Sequence, residues 1–216
     1  NSYFVQKQLT AQGIDAKEVV WNGVPFRPMS TEFSHLPTVA FSGRLVVEKG
    51  IHILLKAFRE VCTQIPAAKL LIAGDGPERN NLLALTFTLG LQDSVIFLGH
   101  LPRDEMEHAF KLAWVQVVPS QWQEPFGIVA AEAMMRGKPV IASDLGGLSE
   151  IVQHHQTGFL YEHSNIQELA ICMIKLLSNI DLARSMGKAG HKTALASFSE
   201  DCFVKRFIEL YERISL

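Results

Sequence analysis

Residues 38–73, TVAFSGRLVVEKGIHILLKAFREVCTQIPAAKLLIA, contain the unit from which the fold is predicted. The stretch begins with the apolar, partly β-branched run TVAFS and ends with the similar run KLLIA. The segment between them ends at Pro66 and carries apolar residues on one helical stripe: Ile51, Leu54, Leu55, Phe58 and Val61. Strand, amphipathic helix and strand in succession are typical of a parallel sheet with crossover helices.

The same alternation continues along the chain. Strands are predicted at residues 18–21, 38–42, 69–73, 94–98, 114–118 and 138–142. From Ser164 onward only helical patterns follow, with Ser199 as the N-cap of the last helix. The sequence therefore predicts an α/β fold, a doubly wound parallel sheet covered by helices on both faces, with extra C-terminal helices.

Composition and charge exclude several classes of protein. The 216 residues are 48% hydrophobic, which is enough for the core of one or two domains. With 20 Lys and Arg against 22 Asp and Glu, the chain lacks a basic field, so no nucleic-acid partner is expected. The three cysteines are far apart and in apolar surroundings, which favours reduced thiols. Reduced thiols fit a cytoplasmic protein, and no run approaches the roughly 18 apolar residues of a membrane span.

Polar residues at the ends of the predicted strands are the candidates for a site, because ligands bind at the carboxyl ends of parallel strands. In FSGRLVVEKG, residues 41–50, a strand leads through Gly43 to Arg44 and Lys49. A guanidinium and an ammonium group could neutralise a diphosphate together. A solvated basic loop is the alternative, and no Gly-Lys-Ser/Thr sequence completes a phosphate loop here.

Two further strand ends give weaker signals. In IAGDGPER, residues 72–79, Gly74 and Gly76 resemble a dinucleotide turn, but Arg79 occupies the place of the third glycine. A tight strand-to-helix turn is the alternative reading. In VIFLGHLPRDE, residues 95–105, the backbone at His100 and Leu101 could contact the edge of a base, or could be an ordinary loop.

The strongest junction is QWQEPFGIVAAEAMMRG, residues 121–137. A helix is predicted to begin near Pro125 or Phe126, which leaves the amides of Gly127, Ile128 and Val129 without helical partners. Free amides and the helix dipole together form an anion site. Gly127 would also let a phosphate or a sugar approach the backbone closely.

Two acids flank this predicted helix start. Glu124 precedes it, and Glu132 lies about 9 Å further along the helix at ~1.5 Å per residue. One elongated ligand explains both: Glu124 accepts hydrogen bonds from sugar hydroxyls, and Glu132 binds the vicinal hydroxyls of a ribose. In the alternative reading Glu124 is a loop charge and Glu132 is a helix-surface residue, although the apolar run between them favours burial.

Five segments together resemble a known family: NGVPF (22–26), GRLVVEKG (43–50), AGDGP (73–77), FLGHL (97–101) and EPFGIVAAEAMMRGKPVIASDLGGLSEIV (124–152). They are similar to the C-terminal, donor-binding domain of a family 4 (group 1) glycosyltransferase of the GT-B type, whose domains are Rossmann-like. The resemblance covers residues 22–216. Residues 1–21 would then be a segment or linker from a missing N-terminal acceptor domain, and only that domain would contact a membrane.

The resemblance implies roles for the candidate residues. Arg44 and Lys49 hold the donor diphosphate, Glu124 contacts the donor sugar, Glu132 contacts the ribose, and the loop at Leu101 borders the base. The remaining donor-binding positions are Gly43, Gly127, Ile128 and Val129.

The implied reaction is a retaining transfer from a nucleotide-diphosphate sugar to an acceptor hydroxyl, without a metal site or a cofactor. The chain agrees in having no Asp-x-Asp pair. It departs from the family in Pro25, where an aspartate is common. A nucleotide-sugar epimerase or phosphorylase on the same architecture, or a non-catalytic nucleotide-sugar-binding module, remains as an alternative.

Overall fold

A computed structural model describes residues 1–214 of the chain. The described chain forms one six-stranded sheet in which every pair of neighbouring strands is parallel. Its strands are β1 (Thr38–Ser42), β2 (Lys69–Ala73), β3 (Val95–Gly99), β4 (Val115–Val118), β5 (Val140–Ser143) and β6 (Gly158–Tyr161). The helices are α1 (Tyr3–Ala11), α2 (Ile51–Gln64), α3 (Arg79–Thr88), α4 (Arg103–Phe110), α5 (Ile128–Met135), α6 (Leu148–Ile151), α7 (Ile166–Leu177), α8 (Ile180–Ser197) and α9 (Glu200–Ile214).

The strand order is β3-β2-β1-β4-β5-β6, which is that of a doubly wound, Rossmann-like sheet. This confirms the predicted fold class. Successive strands are added on one side of β1 up to β3 and on the other side from β4 onward. A crevice therefore opens at the carboxyl ends of the two central strands, β1 and β4. Ligands of open α/β sheets bind at such a switch point.

Helices cover both faces of the sheet because alternate strand residues point to opposite sides. On β1, Val39 and Phe41 pack into a core cluster with α2 and α7. Ala40 belongs instead to a cluster with Phe110 of α4. A third cluster joins α5 to the end of α8 around Val118 and Val140.

One strand prediction was wrong, and one observed strand was not predicted. Residues 18–21 form no strand; the ring of Trp21 instead lies edge-on to Tyr3 and Phe198, 5.9 and 5.4 Å between ring centroids. β6 was missed because GFLY is short and begins with glycine. A Cβ at Gly158 would lie 1.8 Å from the carbonyl oxygen of Val140, so the pairing of β5 with β6 requires a glycine at this position.

The C-terminal helices agree with the sequence prediction. The hydroxyl of Ser199 accepts a hydrogen bond from the amide of Cys202 at 3.3 Å, as an N-cap does. On α9, Val204 and Ile208 are exposed although they lie on an apolar stripe. No helix within residues 1–214 is long and apolar enough to cross a membrane.

A buried lysine supports the loop before β1. Lys138 is 1% exposed, and its ammonium donates a hydrogen bond to the carbonyl oxygen of Glu32 at 2.8 Å. The ammonium also lies 4.3 Å from the ring centroid of Phe33. Burial, with the nearby Arg136 charge, lowers the pKa of Lys138 to about 8. The charged form is therefore disfavoured in the folded protein.

The stability contribution of Lys138 should depend on pH. Below the folded pKa both states carry the proton, and the cost of burying the charge is constant. Between about pH 8 and 10.5 the Lys138 amine is protonated in the unfolded chain but neutral in the folded one. The folded state therefore gains stability as pH rises. Relative to Lys138→Met, the wild type should gain up to about 1.4 kcal/mol per pH unit in this window, measured by urea unfolding. The exposed Lys56→Met is the control, and parallel pH curves for Lys138→Met and wild type would contradict the prediction.

Candidate functional site

Two adjoining cavities open at the switch point of the sheet. The Lys49 cavity, of about 280 Å³, lies between the end of β1 and the loop before α5. The Arg44 cavity, of about 520 Å³, lies between the loops after β1, β2 and β3 and the side of α5. Ser42, Gly43 and Val129 line both cavities, so the two form one elongated crevice.

The structure brings all the predicted site residues to this crevice. Its Lys49 end is lined by Gly43, Lys49, Glu124, Gly127, Ile128 and Val129. Its Arg44 end is lined by Gly43, Arg44, Leu101, Val129 and Glu132. Their individual roles stay predictions. Parallel strands explain the convergence, because their carboxyl ends meet at one edge of the sheet.

Glu124 is paired, which the sequence reasoning did not foresee. The residue is only 8% exposed. One carboxylate oxygen accepts hydrogen bonds from the ammonium of Lys49 at 2.5 Å and from the hydroxyl of Ser120 at 2.7 Å. Lys49 also lies 5.6 Å from the ring centroid of Trp122. The pair offsets the cost of burying the carboxylate and leaves its second oxygen for a ligand.

Helix α5 begins at Ile128, slightly later than the predicted start at Pro125 or Phe126. The reason is Gly127, whose φ of 103° is outside the helical region and is tolerated by glycine. Within residues 1–214 the amides of Gly127, Ile128 and Val129 donate to no backbone or side-chain acceptor. The predicted set of free amides is therefore present at the wall of the Lys49 cavity.

Two glycines let the loops after β1 and β2 pack backbone against backbone. A Cβ at Gly74 would lie 1.8 Å from the carbonyl oxygen of Gly43, and one at Gly76 would lie 2.5 Å from that of Leu45. The amide of Gly76 is bound by the Asp75 carboxylate at 2.8 Å. Residues 72–79 therefore form a tight turn, which was the alternative to a dinucleotide turn. Gly74 and Asp75 of this turn line the Arg44 cavity.

The sequence reasoning missed an arginine behind Glu132. The guanidinium of Arg27 donates to the Glu132 carboxylate at 3.2 Å and also pairs with Glu107. The sequence signal that could have pointed to Arg27 is its position directly after the NGVPF segment. In contrast, Arg44 is exposed and forms no ion pair with any residue in 1–214, so its charge is uncompensated at the crevice.

No metal site is evident in the part of the chain that the structure describes. Residues 1–214 contain no cluster of three or more His, Cys, Asp or Glu side chains that could hold an ion. Arg44 and Lys49 both line the crevice, and Lys49 is paired there with Glu124.

The family model described as glycosyl transferases group 1 matches residues 26–193. This chain belongs to the group 1 glycosyltransferases. An uncharacterized glycosyltransferase of Methanocaldococcus jannaschii is 36% identical over 174 residues, which are 81% of this chain and 44% of that protein. The GDP-mannose-dependent alpha-(1-6)-phosphatidylinositol monomannoside mannosyltransferase of Mycobacterium tuberculosis is 33% identical, over 80% of this chain and 46% of its own.

Solved structures of glycosyltransferases have the same fold. The sucrose-phosphate synthase of Thermosynechococcus elongatus superposes with a TM-score of 0.88 at 30% identity, over 99% of this chain and 57% of that one. The Anabaena protein HepE, solved in complex with UDP and glucose, gives 0.85 at 26% identity, over 98% of this chain and 61% of that one. By comparison, the chain spans less than half the length of the two sequence relatives, those of Methanocaldococcus jannaschii and Mycobacterium tuberculosis.

Proposed function

We propose that the crevice binds a nucleotide-diphosphate sugar as the donor for glycosyl transfer to an acceptor hydroxyl. The observation that carries this proposal is the continuity of the two cavities, with two cations and three free amides along one elongated crevice. The UDP complex of HepE supports a nucleotide donor.

The ligand's parts can be assigned by chemistry. The ribose and base occupy the Arg44 cavity, where Glu132 and Leu101 line the wall. The diphosphate lies where the cavities meet, near Gly43 and Val129, within reach of Arg44 and the helix-start amides. The sugar then enters the Lys49 cavity, where the second oxygen of Glu124 accepts its hydroxyls.

In the proposed reaction the bond between the sugar's anomeric carbon and the diphosphate oxygen breaks first. Its electron pair stays on the diphosphate, whose growing charge is stabilised by Arg44, Lys49 and the α5 amides. The acceptor oxygen bonds to the anomeric carbon from the same face, and its proton passes to the leaving phosphate. Transfer is retaining and metal-independent, and Glu124 positions the sugar without attacking it.

The acceptor is proposed to bind to a second, N-terminal domain, to which residues 1–21 would lead. The greater length of the relatives supports this proposal. So do the exposed apolar residues Val204 and Ile208 of α9, which a second domain could cover. A cytoplasmic location stays a prediction.

Separate roles for the two acids can be tested by paired titrations. We expect Glu132→Gln to weaken a nucleoside diphosphate and its sugar ester about equally, by roughly 10- to 100-fold, because each loses the ribose contact. Glu124→Gln should spare the nucleoside diphosphate and weaken only the sugar ester by a similar factor. Calorimetry with UDP and a UDP-sugar, and with the matching guanine and adenine pairs, measures both effects.

Glu60→Gln is the matched control, since Glu60 is an exposed acid on α2 that lines neither cavity. A different outcome would contradict separate roles for the two acids. If both crevice variants lower thermal stability and leave the ratio of the two affinities unchanged, the acids only anchor the start of α5. Failure of the wild type to bind any of these nucleotides would refute the proposed function itself.

A further inference from the structure

Arg27 lies directly behind the acid assigned to the ribose. Its guanidinium donates to one carboxylate oxygen of Glu132 at 3.2 Å. Arg27 is 6% exposed and does not line the Arg44 cavity. It lines a separate cavity of about 540 Å³ on the far side, together with Glu107 and Arg136. A ligand in the Arg44 cavity would therefore contact Glu132 but not Arg27.

Several contacts fix the guanidinium of Arg27. It pairs with Glu107 of α4, and it donates to the carbonyl oxygen of Pro25 at 3.2 Å. The adjacent Val24 is held on the turn between α8 and α9, because its amide donates to the carbonyl oxygen of Phe198 at 2.7 Å. The guanidinium is therefore rigidly placed before it reaches Glu132.

Glu107 also joins Arg27 to a second arginine. Arg136 makes a bidentate contact with Glu107 at 2.6 and 3.0 Å. It also donates to the side-chain oxygen of Gln116 at 2.9 Å. The side-chain NH2 group of Gln116 in turn donates to the hydroxyl of Ser42 at 3.1 Å. The polar chain thus runs from Glu132 to Ser42, two residues on the wall of the Arg44 cavity.

We infer that Arg27 is a positioning residue for nucleoside recognition: it holds Glu132 so that the free carboxylate oxygen faces the ribose hydroxyls. This inference rests on the proposed function. A guanidinium suits the task because its planar fork can contact Glu107, Pro25 and Glu132 at fixed angles. Without it, the Glu132 carboxylate could rotate, and its hydrogen bonds to the ribose would lose their geometry.

The test compares a nucleoside diphosphate, UDP or GDP, with its 2′,3′-dideoxy analogue. We expect the 216-residue wild-type chain to prefer the ribose form, and Arg27→Met to reduce this preference roughly tenfold. The preference for nucleoside diphosphate over monophosphate should not change, because Arg44 and Lys49 are untouched. A general structural defect would lower both preferences.

Arg27→Lys keeps the charge and serves if Arg27→Met does not fold. An ammonium cannot reach all three acceptors in the same planar arrangement, so the ribose preference should still fall. In a Glu132→Gln background, a change at Arg27 should lower the ribose preference no further. Arg59→Lys is the control, since Arg59 is an exposed arginine of α2 that lies outside the polar chain from Glu132 to Ser42.

Three results would overturn the inference: a full ribose preference in both Arg27 variants, an equal loss in Arg59→Lys, or a wild type that binds the nucleotide without preferring the ribose. In each of these cases the wild type still binds the nucleoside diphosphate, so the proposed function survives. A wild type that binds none of UDP, GDP and ADP would instead refute the proposed function.

Discussion

Replacing Arg44 with glutamine is expected to weaken the binding of a nucleoside diphosphate by roughly 10- to 100-fold. Arg44 lines the crevice and forms no ion pair within the described part of the chain, so its charge is available to the ligand. Lys49 also lines the crevice, but it is paired with Glu124, so we expect the larger loss at Arg44. Calorimetry with the nucleoside diphosphate measures the loss, and the affinity for the nucleoside without phosphate should stay the same.

Arg59→Gln is the matched control, because it removes an exposed guanidinium of α2 that lines neither cavity. Arg44→Lys should give an intermediate affinity, since an ammonium keeps the charge but not the two-pronged contact with phosphate. An Arg44→Gln protein that binds the diphosphate as tightly as the wild type would show that the helix-start amides and Lys49 suffice.

Replacing Gly74 with alanine is expected to lower the free energy of unfolding by roughly 2 to 6 kcal/mol. The added Cβ would lie 1.8 Å from the carbonyl oxygen of Gly43, and the φ of 144° at Gly74 is a conformation that alanine rarely adopts. The loops after β1 and β2 would have to separate. Gly43 lines both cavities, so the folded fraction should also bind the nucleoside diphosphate less tightly.

Gly90→Ala is the control without a close contact. Gly90 has a φ of 68°, but an added Cβ there would meet no atom within 4 Å. Only the backbone strain of about 1 to 2 kcal/mol is expected in this variant. Urea unfolding of both variants measures how far the loss at Gly74, from the contact with Gly43 and from the φ of 144°, exceeds ordinary left-handed strain. Equal losses in Gly74→Ala and Gly90→Ala would mean that the two loops can separate freely.

The parts of the fold with a clear local pattern could be predicted, and those without one could not. The α2 stripe has clear helical periodicity, and the apolar runs that became β1 and β2 have strand bounds that match the structure. The apolar run at residues 18–21 looks similar, yet no strand pairs with it, and Trp21 packs on aromatic rings. Conversely, β6 pairs with β5 only because position 158 is a glycine, since a Cβ there would clash with the backbone of Val140.

By itself, the sequence determined the α/β class and the residues that meet at the crevice. The reason is that strand and helix periodicity is local, and parallel strands bring their carboxyl ends to one edge. Only the tertiary structure decided which charges pair. Lys49 and Glu124 are 75 positions apart, and Arg27 and Glu132 are 105 apart. Such pairs depend on how the loops and helices pack around the sheet, and no local pattern in the sequence encodes that packing.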